Sequence, residues 1–212
     1  MSLRQIYPNK DPSGMTTIDI IAVHGFDSFD TSGSCSASSW CEPSGQPGDW
    51  LVEFIRTHNL EARLLLYEYK SNITLRTDAG SLSRQADCLL LQISNERSTT
   101  DPHTPLIFLC HGLGGILVKQ ALVNASQNDH YRGIKTATRG LAFFGTPHQV
   151  PLQRSPSIIE KTLSFVSLAK PIQSPYDLEL LSVQGFRDQI EDYRFISFYG
   201  DSDDVSVALQ LI

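Results

Sequence analysis

Leu106-Ile-Phe-Leu-Cys-His-Gly-Leu-Gly-Gly115, continued by Ile116-Leu-Val-Lys-Gln-Ala-Leu122, decides the fold. An apolar run ends in a turn of small residues, and apolar positions at helical spacing resume at once. A short, wholly apolar run fits a strand covered on both faces. The change of period across a Gly-rich turn predicts strand, sharp turn, helix. That is the layout of a nucleophile elbow, which exposes one side chain above the sheet and reads G-x-S-x-G. The register here is Cys110-His111-Gly112-Leu113-Gly114, so glycine occupies the nucleophile position. A Gly-rich turn can also cradle phosphate. Walker A, however, needs G-x-x-x-x-G-K-[ST], Lys119 lies well inside the helix, and G-x-G-x-x-G is absent. The plainer alternative is that the glycines only permit a tight turn and close helix–strand packing.

Outward from this stretch the chain alternates. Strand patterns cover residues 16–23, 62–69, 105–110, 140–144 and 194–199, and helical patterns cover 49–59, 81–94, 113–127 and 176–190. In 49–59, Trp50, Phe54 and Ile55 are expected on one side. Alternation of this kind predicts an α/β fold with a mostly parallel central sheet flanked by helices. Residues 1–15 are expected to be an N-terminal extension, and residues 16–212 one domain. Two stretches, 27–48 and 149–157, read as loops. Val205, Val207, Leu209 and Leu211 alternate, which predicts an edge strand over 204–212 beside 194–199.

With 212 residues, 41% hydrophobic and 19% charged, the chain suits one globular domain. A net charge of -6 argues against a nucleic-acid partner, which would call for a basic face. The polar start gives no signal peptide, and no apolar run has the length of a membrane span. The 4 cysteines form no C-x-x-C pair and read as reduced thiols in a cytoplasmic protein, with a Cys35–Cys41 bridge as the alternative. Asn72 and Asn124 head glycosylation sequons that read as chance matches. No metal-ligand spacing is present, and no cofactor is expected.

Ligands gather beyond the C-terminal ends of parallel strands. His24-Gly25, His111-Gly112 and Pro147-His148 all fall there. An H-G segment in this position supplies a backbone N–H to an oxyanion hole, here from Phe26, with the Leu113 N–H as the second donor. The expected pocket is bounded by His24, Gly25, Phe26, His111, Gly112, Leu113 and His148. For His24, His111 and His148 a structural hydrogen bond is the competing role. Cys110 sits two positions before the apex at the strand end, where a buried thiol is inert.

Four segments occur in order: Ile18-Asp-Ile-Ile-Ala-Val-His-Gly-Phe26, Ala62-Arg-Leu-Leu-Leu-Tyr-Glu-Tyr69, residues 105–122, and Gly140-Leu-Ala-Phe-Phe-Gly-Thr-Pro-His148. Together they resemble the lipase/esterase-like α/β-hydrolase domains of fungal NACHT and ankyrin-repeat proteins (the SesB-like group, relatives of the DUF676 and PGAP1-like serine esterases). The resemblance implies a C-terminally shortened α/β-hydrolase-like fold and a Ser-His-Asp triad whose serine maps onto Gly112. It places the acid at Asp201, Asp203 or Asp204, for which a solvated acidic turn is the default reading. The triad histidine is expected beyond one further strand. All 6 histidines of this chain precede the acid candidates, so that histidine is absent.

Three functions follow from these readings. One is an esterase-like pseudoenzyme that binds an acyl or ester-like ligand. Another is a signalling or partner-binding module of a NACHT-type receptor. The last is a true serine hydrolase represented by a nucleophile mutant or a shortened chain.

Overall fold

The computed structural model describes residues 1–8, 17–25, 40, 49–69, 79–98, 101–146, 148, 183–201 and 204–208. Strands β1 (Ser2–Tyr7), β2 (Ile18–Val23), β3 (Ala62–Glu68), β4 (Leu106–His111), β5 (Thr138–Phe144), β6 (Arg194–Asp201) and β7 (Asp204–Ala208) form one 7-stranded sheet. Its order is β1-β3-β2-β4-β5-β6-β7. The strands from β2 to β6 are mutually parallel, while β1 and β7 are antiparallel edge strands. Helices α1 (Asp49–Thr57), α2 (Ala79–Glu96), α3 (Gly114–Gln127), α4 (Arg132–Ala137) and α5 (Gln184–Arg187) complete the described elements. The expected α/β class with a mostly parallel sheet is what the chain forms.

Period-two alternation distributes each strand between two cores. Leu106, Phe108 and Cys110 of β4 join Ile21, Val23, Leu65, Tyr67 and Phe143 in a core closed by α2 and α3. Leu109 instead packs toward Ala22, Leu64, Leu66, Trp40 and the α1 residues Leu51 and Ile55. A strand with partners on both faces must be apolar throughout, which is why β3 and β4 read as continuous runs.

The end of the sheet away from the site carries a buried charge network. Asp19 is fully buried and takes two bonds from Arg63, at 2.9 and 3.0 Å, and a further one from Arg97. Arg97 also donates to the Thr104 carbonyl at 2.7 Å, which ties the approach to β4 into the same network.

Several expectations need correction. Within the stretch read as an N-terminal extension, Ser2–Tyr7 is a strand of the sheet, paired to β3. The buried stripe of α1 is Leu51 and Ile55, whereas Trp50 (36%) and Phe54 (51%) face outward. Of the helix read over 176–190, the described part gives only Gln184–Arg187, followed by a 3-10 turn at Ile190–Asp192. His111 is the last residue of β4 rather than a loop residue. The edge strand read over 204–212 is described for Asp204–Ala208, antiparallel to β6. The loops at 27–48 (Trp40 apart) and 149–157, together with Cys35, Cys41 and Pro147, lie outside the described residues. No described helix is long and apolar enough to cross a membrane.

Candidate functional site

β3 pairs on one side of β2 and β4 on the other, so the winding direction reverses between β2 and β4. In such sheets the crevice opens at this reversal, beyond the C-terminal strand ends. His24-Gly25 leaves β2 there, and His111-Gly112 leaves β4 beside it.

The turn after β4 is tight and internally braced. Gly112 has φ +49°, in the left-handed region that side-chain-bearing residues avoid. Its N–H donates to the Phe144 carbonyl at 2.8 Å. Its carbonyl accepts from Gly115 N–H at 3.2 Å and from the Thr146 hydroxyl at 2.9 Å. Among the described residues, a Cβ on Gly112 would meet only the Gly25 Cα, at 3.7 Å, so the apex faces the end of β2. Gly114 is different: a Cβ there would lie 2.4 Å from the His24 carbonyl oxygen and 2.7 Å from that of Val23. The start of α3 therefore rests directly on the backbone at the end of β2. Leu113, the residue that caps α3, is buried, and no bond described here uses its N–H.

The histidines separate by role. His24 is fully buried; its Nδ1 lies 2.8 Å from the Gly25 carbonyl and its Nε2 accepts from the Tyr69 N–H at 3.2 Å. Its ring stacks on Tyr69 at 4.4 Å, and its carbonyl accepts from the Tyr69 hydroxyl at 3.0 Å. Both ring nitrogens of His24 are thus engaged by backbone groups of the fold. His111 is exposed and meets the edge of Trp40 at 6.4 Å.

His148 is engaged by Ser197 and Phe143. Its Nε2 is 2.9 Å from Ser197 Oγ, and its ring stands edge-on to Phe143 at 4.8 Å, on the α3 side of the sheet. Burial, reinforced by the positive charge of Lys119, pulls its pKa down to about 4, so the ring is neutral at neutral pH. Burial likewise lowers Lys119, which is 3% exposed, to about 8. The Cys110 thiol is fully buried, and burial pushes its pKa well up, so it stays protonated and inert.

The structure thus brings Gly25 against His111 and Gly112 at the strand ends, with Leu113 following Gly112 at the start of α3. Asp201 and Asp204 face each other in register across the β6–β7 hairpin. Phe26 and Asp203 lie outside the described residues. Trp40, Lys119 and Ser197 were missed by the sequence reading. Trp40 is 2% exposed against Trp50, His111 and Phe144, and its indole N–H has no partner among the described residues. An aromatic residue inside a Ser/Gly/Pro-rich stretch, and a lysine inside an apolar helical run, were the available signals. Among the described residues no cluster could hold a metal ion.

A parallel sheet with flanking helices and a braced strand–turn–helix elbow at its winding reversal defines an α/β-hydrolase-like domain with glycine at the apex. No family model matches the chain. It is similar to Protein SERAC1 of Danio rerio, 24% identical over 125 residues, or 58% of this chain and 18% of that protein. It is also similar to Protein SERAC1 of Mus musculus, 34% identical over 64 residues, or 30% of this chain and 10% of that protein. The chain thus spans only a small part of these relatives' length. Among solved structures it is similar to YbtT, a type II thioesterase of yersiniabactin biosynthesis, with 16% identity, 88% of this chain and 68% of that chain covered, and TM-score 0.40. A butyrate-bound esterase of Thermogutta terrifontis shares 11% identity over 94% of this chain and 78% of that chain, with TM-score 0.43.

Proposed function

We propose that this domain is an esterase-like pseudoenzyme, which binds an acyl or ester-like group at the elbow without hydrolysing it. One observation carries the reading. The turn keeps the left-handed φ of +49° and its full bracing at Gly112, yet presents no nucleophile there. The Leu113 N–H, at the start of α3, stays oriented for a carbonyl or carboxylate oxygen because backbone donors do not depend on the missing side chain. The Phe26 N–H is the second donor of this reading. A cytosolic setting belongs to it too and draws on Cys88 and Cys110, neither of which is in a disulfide.

Two measurements test the proposal. The chain should not be labelled by a fluorophosphonate serine probe; stoichiometric labelling at any serine would identify a working hydrolase instead. Titration with a fatty acid should move the Leu113 and Gly112 amide resonances. Shifts confined to other sites would remove the elbow from the binding site.

A second reading, a partner-binding module of a fungal NACHT-type receptor, is favoured by the outward-facing Trp50 and Phe54 on α1. Its test is whether a longer parent sequence carries nucleotide-binding or repeat regions.

A further inference from the structure

Thr146, in the stretch Gly145-Thr-Pro-His148, follows β5 and is buried against the elbow. Its hydroxyl donates to the Gly112 carbonyl at 2.9 Å. The other bond to that oxygen, from the Gly115 N–H, is longer, at 3.2 Å. The segment that carries Thr146 is itself anchored. The Gly145 N–H donates to the Phe198 carbonyl at 2.7 Å, so β6 holds the base from which Thr146 reaches across. Gly115 makes room for it: a Cβ there would run into both Oγ1 and Cγ2 of Thr146. Of the two glycines that open α3, Gly114 thus admits the end of β2 and Gly115 admits Thr146.

The bond matters for what the same peptide carries on its other side. The Gly112 carbonyl and the Leu113 N–H belong to one planar trans peptide and point in opposite directions. Whatever fixes the oxygen therefore aims the N–H. Leu113 is right-handed, with φ -69° and ψ -16°, and its own carbonyl accepts from the Leu117 N–H at 3.1 Å, so α3 holds the chain on one side of this peptide. On the other side stands glycine, whose dihedrals no Cβ restrains. A full reversal of the peptide would drive Leu113 to positive φ, which is costly. The freedom left is a tilt, and a tilt re-aims the N–H.

We propose that Thr146 is the positioning residue of the elbow: by holding the Gly112 carbonyl, its hydroxyl aims the Leu113 N–H that meets the ligand oxygen. What the N–H meets rests on the proposed function; how it is aimed does not. Thr146 acts through the Gly112–Leu113 peptide and not by its own contact with the ligand. A packing role would make its methyl group the essential part, whereas a positioning role makes the hydroxyl essential. Substitution separates the two. Valine keeps the shape and loses the donor, and serine keeps the donor and loses the methyl group.

The test compares the full chain with Thr146→Val and Thr146→Ser. One readout is the residual dipolar coupling of the Leu113 N–H, which reports the direction of that bond, and the other is titration with sodium hexanoate. In Thr146→Val the Leu113 coupling should change while those of residues 116–122 in α3 hold. Hexanoate affinity should fall by about threefold to tenfold, the range for one lost hydrogen bond. Thr146→Ser should keep both the coupling and the affinity. An unmoved Leu113 coupling in Thr146→Val would overturn the proposal, and so would unchanged hexanoate affinity there while the elbow amides still respond. A Thr146→Ser variant that departs as far as Thr146→Val would make the side chain a packing element and overturn it too. Should Thr146→Val fail to fold, Thr146→Ala against Thr146→Ser decides in the same way, because that pair differs only in the hydroxyl. If hexanoate moves neither the Leu113 nor the Gly112 amide of the unsubstituted chain, the elbow loses its ligand, and the coupling alone decides whether Thr146 aims the N–H.

Discussion

Replacing Gly114 by alanine puts a Cβ 2.4 Å from the His24 carbonyl oxygen and 2.7 Å from that of Val23. Carbon and oxygen in close contact sit about 3.3 Å apart, so α3 and the end of β2 must part by roughly 1 Å. Both obstacles are backbone, and no side-chain rotation relieves them. The His24 carbonyl also accepts from the Tyr69 hydroxyl at 3.0 Å, so the movement strains the packing of His24 as well. Overpacking of a core costs about 1–3 kcal/mol, and a backbone-on-backbone clash belongs at about 3 kcal/mol. Gly112→Ser is the matched control two residues away. Among the described residues its nearest obstacle is the Gly25 Cα at 3.7 Å, which leaves the left-handed φ of +49° as the cost, about 1–2 kcal/mol. At about 2–4 °C per kcal/mol for a chain of this size, Gly114→Ala should lower Tm by roughly 6–12 °C and Gly112→Ser by roughly 2–8 °C. Thermal unfolding followed by circular dichroism in one buffer measures both. If Gly112→Ser falls as far as Gly114→Ala, the helix does not rest on the end of β2 as described.

Gly112→Ser should also remain a poor esterase: His148, with its pKa pulled to about 4 and its Nε2 engaged by Ser197, is a weak base. Turnover of a p-nitrophenyl ester well above the buffer rate would contradict this. Asp19→Ala removes the buried carboxylate that Arg63 and Arg97 share and should cost about 3–5 kcal/mol by urea unfolding; a cost under about 1 kcal/mol would mean the network is dispensable. Because the folded pKa of His148 lies below its unfolded value of 6.5, the unfolded chain binds the extra proton, and stability should fall as pH drops from 6.5 to about 4. His148→Gln should flatten that slope, and an unchanged slope would assign it to other groups. Finally, among the described residues nothing pairs with the outer side of β7, so sedimentation should show concentration-dependent self-association that a lysine at Val207, in register with Phe198, reduces; a monomer at all concentrations would count against it.

The central strands were legible because burial on both faces leaves an apolar run that little else produces, and Leu106–His111 announced the turn and helix that follow it. β1 was not legible. Arg4 and Gln5 interrupt its pattern, and its place comes from backbone pairing with β3, an interaction its own residues do not encode. The face of α1 was misread because Trp50–Phe54 and Leu51–Ile55 are neighbouring stripes at the same spacing, and only the sheet decides which is covered. At the site, Gly112 could be placed by motif alone. The commitment of both His24 nitrogens could not, because the N–H bonded to Nε2 belongs to Tyr69, 45 positions away. Nor could the partner of His148 be read: Ser197 comes from β6, 49 positions away, a contact no local pattern announces.

The β6–β7 hairpin also sets a direction of travel. Asp201 and Asp204 oppose each other across its turn, and from there the 5-residue β7 descends antiparallel to β6 until Ala208 stands beside Ser197. At about 3.3–3.4 Å per residue, the four steps from Asp204 to Ala208 carry the chain some 13 Å from the turn. A histidine grafted immediately after Ala208 would start its journey well down the sheet, below the rim where Gly112 sits. The backbone at Gly25, by contrast, leaves β2 at the rim itself, 3.7 Å from where a side chain on Gly112 would begin, so a base for this elbow has its shortest route from that side.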